Sequence, residues 1–129
     1  MMMAIKKPSG NLPDYSSYRG VYIEDVDGYL YTEAEWDGSK TANGIAVLTD
    51  NCRYVIALQN ASVDSKWSAT EGLIGGVTTS DNEDDAAKDY NGKKNTESIV
   101  NELGVAVGYV AMYCDSFVFP NGNKGYLGA

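Results

Sequence analysis

The amino-acid sequence predicts an α+β fold that consists of two short antiparallel hairpins with one or two helices. The first half of the chain contains two pairs of short β-rich runs, and a compact polar turn separates the two runs of each pair. The second half contains a segment with helix-capping residues and an apolar stripe. The chain has 129 residues, of which 43% are hydrophobic, so it can form one domain with a core of its own.

The first hairpin is predicted between Gly20 and Tyr31. The runs Val21–Ile23 and Tyr29–Tyr31 flank the turn sequence Asp25-Val26-Asp27-Gly28. An Asp-Gly pair between short β-rich runs is a strong signal for a tight antiparallel turn.

The second hairpin is predicted between Gly44 and Gln59, and we expect it to form the core. Its runs Ile45–Leu48 and Tyr54–Leu58 surround a short polar turn. Both sides of the first run are apolar, which is typical of a central strand that is covered on both faces. We therefore predict that four side chains are almost fully buried, namely Ile45, Val47, Ile56 and Leu58.

The second half of the chain predicts helical structure. Asn95-Thr96-Glu97 indicates a helix start, with Asn or Thr as the N-cap, and Gly104 suits the position after its end. A second helix is predicted over Ala106–Cys114, although it contains Gly108. Phe117–Phe119 has the composition of a brief strand.

Charge and composition exclude several classes of function. The net charge is −8, which argues against a nucleic-acid partner or an anionic membrane surface. The absence of histidine removes the most common general base and the most common zinc ligand. No apolar run approaches the ~20 residues of a membrane-spanning helix, and no apolar segment of a cleaved signal follows Met1–Lys7. We expect no cofactor.

Two further features contain residue types that can form sites. Residues 80–94 carry five acidic side chains but lack the EF-hand spacing, so we predict a solvated loop and no metal site. Cys52 and Cys114 lie 62 residues apart without metal-ligand spacing, which favours half-buried free thiols but leaves a disulfide bridge open.

Residues 1–19 differ from the rest of the chain. Pro8, Gly10 and Pro13 interrupt any regular structure there, which suits either an unstructured terminus or an extended arm that becomes ordered on a partner. The arm carries apolar anchors that a solvated tail rarely has, so we predict three partner-docking residues, Leu12, Tyr15 and Tyr18. The arm is expected to contact another chain and not its own domain, which covers residues 20–129.

An ordered series of short motifs follows the arm: Gly28-Tyr29-Leu30-Tyr31, Glu35-Trp36-Asp37, Gly44-Ile45-Ala46-Val47, Ala57-Leu58-Gln59-Asn60-Ala61-Ser62 with Trp67, Asp89-Tyr90-Asn91-Gly92-Lys93, Asn95-Thr96, Ala111 with Cys114, and Gly125-Tyr126-Leu127. This series resembles the C-type-lectin-like modules of bacterial adhesins, such as the carboxy-terminal domain of collagen-like surface proteins. It is similar above all to the versions in gut Bacteroidales and in the fibre proteins of their phages. The resemblance covers about residues 20–129.

The sequence departs from that family at its end. In the family, the Gly-Tyr-Leu segment leads into a second half that carries most of the ligand surface. Here the sequence ends at Ala129, so we expect an incomplete C-type-lectin-like fold, either cut from a longer protein or a natural short form. No ligand-site residue is therefore transferred from the family.

The resemblance implies a non-catalytic structural or adhesion module of a bacteriophage head or tail fibre, in a virion assembled in the host cytoplasm. Its expected partners are other copies of itself, by analogy a trimer, and capsid or tail proteins. A host-surface glycan would bind through the missing half. The alternative is a bacterial cell-surface adhesin or carbohydrate-binding module. The same broad fold also occurs in formylglycine-generating oxidases, but Cys52 and Cys114 provide only a faint similarity to their reactive cysteines, so we predict no enzyme.

Overall fold

The computed structural model describes residues 12–68, 72, 74–104 and 108–128. Its elements follow in the order β1 (Gly20–Asp25), β2 (Leu30–Tyr31), β3 (Ala42–Leu48), β4 (Arg53–Ile56), α1 (Glu83–Ala86), α2 (Gly92–Leu103) and α3 (Val110–Ser116). The α+β class is therefore confirmed. The chain divides into two compact units: a sheet unit, which contains the described residues up to Gln59 together with Phe119–Gly122, and a helical unit, which contains the rest.

Both predicted hairpins form, and they join into one antiparallel sheet with the strand order β2-β1-β3-β4. Strand β1 pairs with β2 across the Asp-Gly turn, where Gly28 has a φ of 92° that disfavours any side chain. Strand β3 pairs with β1 on one side and β4 on the other. The central position predicted for the first run of the core hairpin is confirmed for β3, whereas β4 lies at an edge.

The prediction of the buried residues in this hairpin was wrong. Ile45 and Val47 are only half-buried, Ile56 is 50% exposed and Leu58 is 57% exposed. The opposite side of the hairpin is buried instead, with Ala46 1% and Leu48 7% exposed. Side chains alternate between the two faces of a strand, but both faces of β3 are apolar, so this alternation could not show which face is buried.

Gly44 allows β4 to approach β3 closely. A Cβ atom at this position would lie 2.5 Å from the carbonyl oxygen of Ile56 and 2.5 Å from Cγ1 of Val55. No side chain larger than hydrogen fits there without a shift of the strand.

In the helical unit, α2 begins at Gly92, at least four residues before the predicted start. Asn91 occupies the N-cap position, and Asn95 and Thr96 are buried within the helix. Their side chains also bind groups outside the helix: Asn95 Nδ2 donates to Asp89 Oδ2 at 2.8 Å, and Thr96 Oγ1, which donates to the carbonyl of Gly92 at 2.7 Å, accepts from the N–H of Leu127 at 2.9 Å. The predicted end is confirmed, because Gly104 follows the last helical residue with a φ of 79°.

The structure also corrects the predictions of the second helix, of the brief strand at Phe117–Phe119 and of the acidic loop. Helix α3 begins at Val110, because Gly108 has a φ of 71° that a helix excludes, and residues 105–107 lie outside the described residues. Val118 forms a single bridge with Lys124 in place of a strand. The acidic segment contains the one-turn helix α1, with the Asn82 side chain as its N-cap acceptor.

Candidate functional site

The described part of the predicted arm, residues 12–19, lies against the sheet of its own unit. The backbone N–H of Leu30 donates to the hydroxyl of Tyr15 at 3.2 Å. The ring of Tyr15 contacts that of Tyr18 edge-to-face at 4.8 Å, and Tyr18 lies 5.6 Å from the ring of Tyr22 in β1. Leu12 packs near Gly28, where a Cβ atom would lie 3.3 Å from its Cδ1. The expectation that this stretch avoids its own domain was therefore wrong for residues 12–19.

Arg53 fastens this segment to the edge strand. Its Nη2 donates to the carbonyl of Tyr15 at 2.6 Å, and its Nη1 donates to the carbonyls of Tyr18 at 3.2 Å and Ser16 at 3.4 Å. Arg19 adds an ion pair with Asp50 at 2.7 Å. Sequence reasoning did not identify the role of Arg53, because a lone arginine after a turn gives no indication of which distant carbonyls it will meet.

The partner-docking role of Leu12, Tyr15 and Tyr18 stays a prediction. The structure places all three side chains against the sheet unit, with Leu12 near Gly28 and with Tyr15 and Tyr18 in ring contact. Leu12 is 40% and Tyr18 is 38% exposed. These two side chains hold the segment in place and still present apolar surface outward. Residues 1–11 of the predicted arm lie outside the described residues.

The sheet has two chemically distinct faces. Cross-strand partners share a face, so the register assigns Tyr22, Ala46 and Val55 to one face, which we call the covered face because residues 12–19 lie over it. The opposite side, here called the open face, is formed by Val21, Ile23, Ile45, Val47, Tyr54 and Ile56. Three of its members are substantially exposed: Val21 at 66%, Tyr54 at 39% and Ile56 at 50%. The open face is therefore an apolar surface that extends to the edge strand β4.

Asp25 is the most buried charged residue in the described part of the sheet unit, at 1% exposure. Its Oδ1 accepts from the backbone N–H groups of Asp27 at 2.9 Å and Tyr29 at 3.0 Å, and its Oδ2 accepts from the hydroxyl of Tyr31 at 2.9 Å. Burial and this hydrogen bond raise the pKa of Tyr31 to about 12. The carboxylate thus organises the turn after β1. The sequence predicted that turn but not the burial of its first residue.

The acidic segment does not assemble a metal site. Among the described residues, no group of three or more acidic or cysteine side chains is close enough together to hold a metal ion. Asp89 has a structural role, because it accepts from the backbone N–H of Asn91 at 2.9 Å and from Asn95. The hydrogen bond from Asn91 is the main reason that the pKa of Asp89 is lowered. The predicted solvated character holds for Asp81, Glu83, Asp84 and Asp85, which are exposed.

Both cysteines are free thiols and are half-buried. Burial raises the pKa of the Cys114 thiol, which lowers its thiolate fraction at neutral pH. The Cys52 sulfur lies 3.3 Å from the hydroxyl of Thr49 inside the β3–β4 turn.

Several motifs behind the family resemblance have structural roles. Thr96 and Leu127, from motifs far apart in the sequence, meet through the hydrogen bond described above. Gly125 lies so close to α3 that a Cβ atom would be 2.8 Å from the carbonyl oxygen of Cys114. In the same motif Tyr126 is 44% exposed, whereas Leu127 is half-buried.

Each helix within the described residues is too short or too polar to span a lipid bilayer. Comparisons with protein families, with curated proteins and with solved structures find no match to this chain.

Proposed function

We propose that this protein is a non-catalytic structural and adhesion module of a bacteriophage particle, of the head- or tail-fibre type. Its N-terminal arm docks it to capsid or tail proteins, and it presents a lectin-like domain. The module associates with further copies of itself. The alternative is an adhesin or carbohydrate-binding module of a bacterial cell surface. The ordered motifs of the sequence support the family, and one structural observation supports association.

That observation is the apolar open face beside an unpaired strand edge. Contiguous exposed apolar surface on a soluble protein is typical of an interaction site. Strand β4 has no neighbour on its outer side among the described residues. A strand edge of this kind accepts a strand from another chain unless it is protected.

The hairpin geometry shows which backbone groups this edge offers. The N–H of Thr49 donates to the carbonyl of Cys52 at 2.9 Å, so these two residues form a hydrogen-bonded pair at the turn. Bonded and non-bonded pairs alternate along an antiparallel ladder. The pairs Leu48–Arg53 and Ala46–Val55 are then non-bonded, which directs the backbone groups of Arg53 and Val55 outward. Apolar side chains and free backbone groups therefore occur on the same strand.

The proposal predicts that the chain associates through this surface. Ile56→Glu introduces a charge at a side chain that is 50% exposed, so it should leave the fold intact and convert the assembly to monomer. The measurement is the molar mass across a concentration series by sedimentation equilibrium, with circular dichroism as the check of folding. Val63→Glu is the matched control, because Val63 is 78% exposed and lies outside the sheet. Wild-type protein that stays monomeric at every concentration, or equal effects of both variants, would contradict the proposal.

The type of particle is tested separately. Antibodies against the chain should label purified phage particles if the chain is a virion component. Labelling of intact bacterial cells alone would favour the alternative.

A further inference from the structure

A cleft of about 240 Å³ opens on the covered face of the sheet unit. Pockets that bury drug-sized ligands measure roughly 300–1,000 Å³, so this cleft suits a single side chain better than a whole small molecule. Its floor is apolar and is formed by Leu30, Ala46, Leu48 and Val55. Tyr15 from the overlying segment, Glu24 and Arg53 supply the polar groups of its lining.

Glu24 is held in position from behind. Its Oε1 accepts from Nδ2 of Asn43 at 2.7 Å. Asn43 is 3% exposed, and its Oδ1 accepts from the backbone N–H of Asn121 at 3.0 Å. That backbone donor identifies which end of the amide is oxygen, so the donor to Glu24 is determined by the structure. The carboxylate is therefore oriented before any ligand arrives.

The second carboxylate oxygen of Glu24 has no hydrogen-bond partner within the described part of the chain. Glu24 also forms no ion pair there, because the described ion pairs join Arg19 with Asp50 and Lys88 with Asp85. The cleft thus combines an apolar floor with one oriented carboxylate that can still accept a hydrogen bond. A ligand that matches both features has an apolar stem and a cationic end.

Arg53 also lines the cleft, but it is engaged elsewhere. Register pairs Glu24 with Gly44 and Arg53 with Leu48, so the two backbone positions are offset by four residues along β3. The Arg53 guanidinium donates to the three carbonyls of Tyr15, Ser16 and Tyr18. Among the described ion pairs none joins Arg53 with Glu24, so the Glu24 carboxylate keeps an oxygen for a cationic ligand.

We propose that this cleft binds a lysine side chain presented by a partner protein. The methylene stem lies on the apolar floor, and the ammonium donates to the free oxygen of Glu24. Arginine fits less well, because its guanidinium gains most from two carboxylate oxygens and one is already bound by Asn43. The net charge of −8 favours a basic partner in the same way. This inference rests on the proposed function, since it names the chemistry of one partner of the assembled module.

The test uses the full chain, labelled for amide NMR and titrated with Nα-acetyl-lysine methylamide. Amide shifts should saturate and cluster at Leu30, Ala46 and Leu48. Nα-acetyl-norleucine methylamide, which has the same stem without the ammonium, should bind at least about tenfold more weakly. Equal binding of the two probes, or shifts scattered over the surface, would overturn the proposal.

Glu24→Gln supplies the second arm, because glutamine keeps the acceptor for Asn43 and removes the charge. It should weaken lysine binding at least about tenfold with an unchanged amide spectrum elsewhere. Glu33→Gln is the matched control, since Glu33 is exposed and lies outside the cleft. Equal affinity of the Glu24→Gln variant and the wild type would refute the role of Glu24.

The two proposals fail in different ways. If the lysine probe does not bind while Ile56→Glu still abolishes association, the cleft proposal alone is wrong. If the probe binds and the chain never associates, the assembly proposal is wrong and the cleft remains a lysine site.

Discussion

The assignment of the buried sheet face can be tested with two chemically identical substitutions, Leu48→Ala and Leu58→Ala. Leu48 is 7% exposed and forms part of the floor under residues 12–19, whereas Leu58 is 57% exposed. Truncation of a buried leucine removes its transfer free energy and leaves a cavity, at a cost of about 2–4 kcal/mol. Less than half of the Leu58 surface is buried, and its truncation leaves no closed cavity. The Leu58→Ala substitution should therefore cost less than about 1 kcal/mol.

The assay is urea unfolding at equilibrium, followed by circular dichroism. An equal slope of the unfolding free energy against urea concentration in all variants checks that the transition stays two-state. For a chain of this size, roughly 3–5 °C in melting temperature accompanies each kcal/mol. Leu48→Ala should therefore lower the melting temperature by about 6–20 °C and Leu58→Ala by less than about 5 °C.

A larger loss for Leu58→Ala than for Leu48→Ala in dilute protein would refute the face assignment. Protein concentration matters here, because Leu58 lies two residues after the edge strand β4 through which the chain is proposed to associate. A loss for Leu58→Ala that grows with concentration would instead indicate that the assembly covers this side chain.

Two further predictions concern the sheet. Gly44→Ala should cost about 1–3 kcal/mol in the free energy of unfolding, because its Cβ would lie 2.5 Å from β4. Gly75→Ala, which meets no atom within 4 Å, is the matched control, and similar losses would contradict the close approach. Tyr31 has a folded-state pKa of about 12 against an ordinary value of 10.0, so the folded state retains the phenol proton longer. Its contribution to stability is complete below pH 10 and is lost as pH rises to about 12. Tyr31→Phe should therefore flatten the decline of the unfolding free energy over that range. In a spectroscopic titration the variant should lose the phenol that titrates near pH 12 in the wild type. If it instead loses a phenol with the ordinary pKa of 10.0, the prediction is wrong.

Local sequence determined the elements whose signals are contained within a few residues. The Asp-Gly pair at Gly28 specifies a turn because glycine accepts the positive φ found there. Gly104 ends α2 for the same reason. The two hairpins and the α+β class follow from such short-range chemistry together with the β-rich runs.

The tertiary structure decided which surfaces are buried and which side chains meet. Strand β3 is apolar on both sides, so its own sequence did not show that Ala46 and Leu48 would be the buried pair. The segment of residues 12–19 was predicted to reach another chain, because nothing near it in sequence reveals that Arg53 would bind its carbonyls from more than 30 residues away. Asn95 and Thr96 suited a helix start by local preference, but their contacts with Asp89 and Leu127 placed them inside the helix. For Asn95 and Thr96 tertiary contacts outweighed a local preference, because burial and a specific hydrogen bond together contribute more free energy than the difference between local conformations.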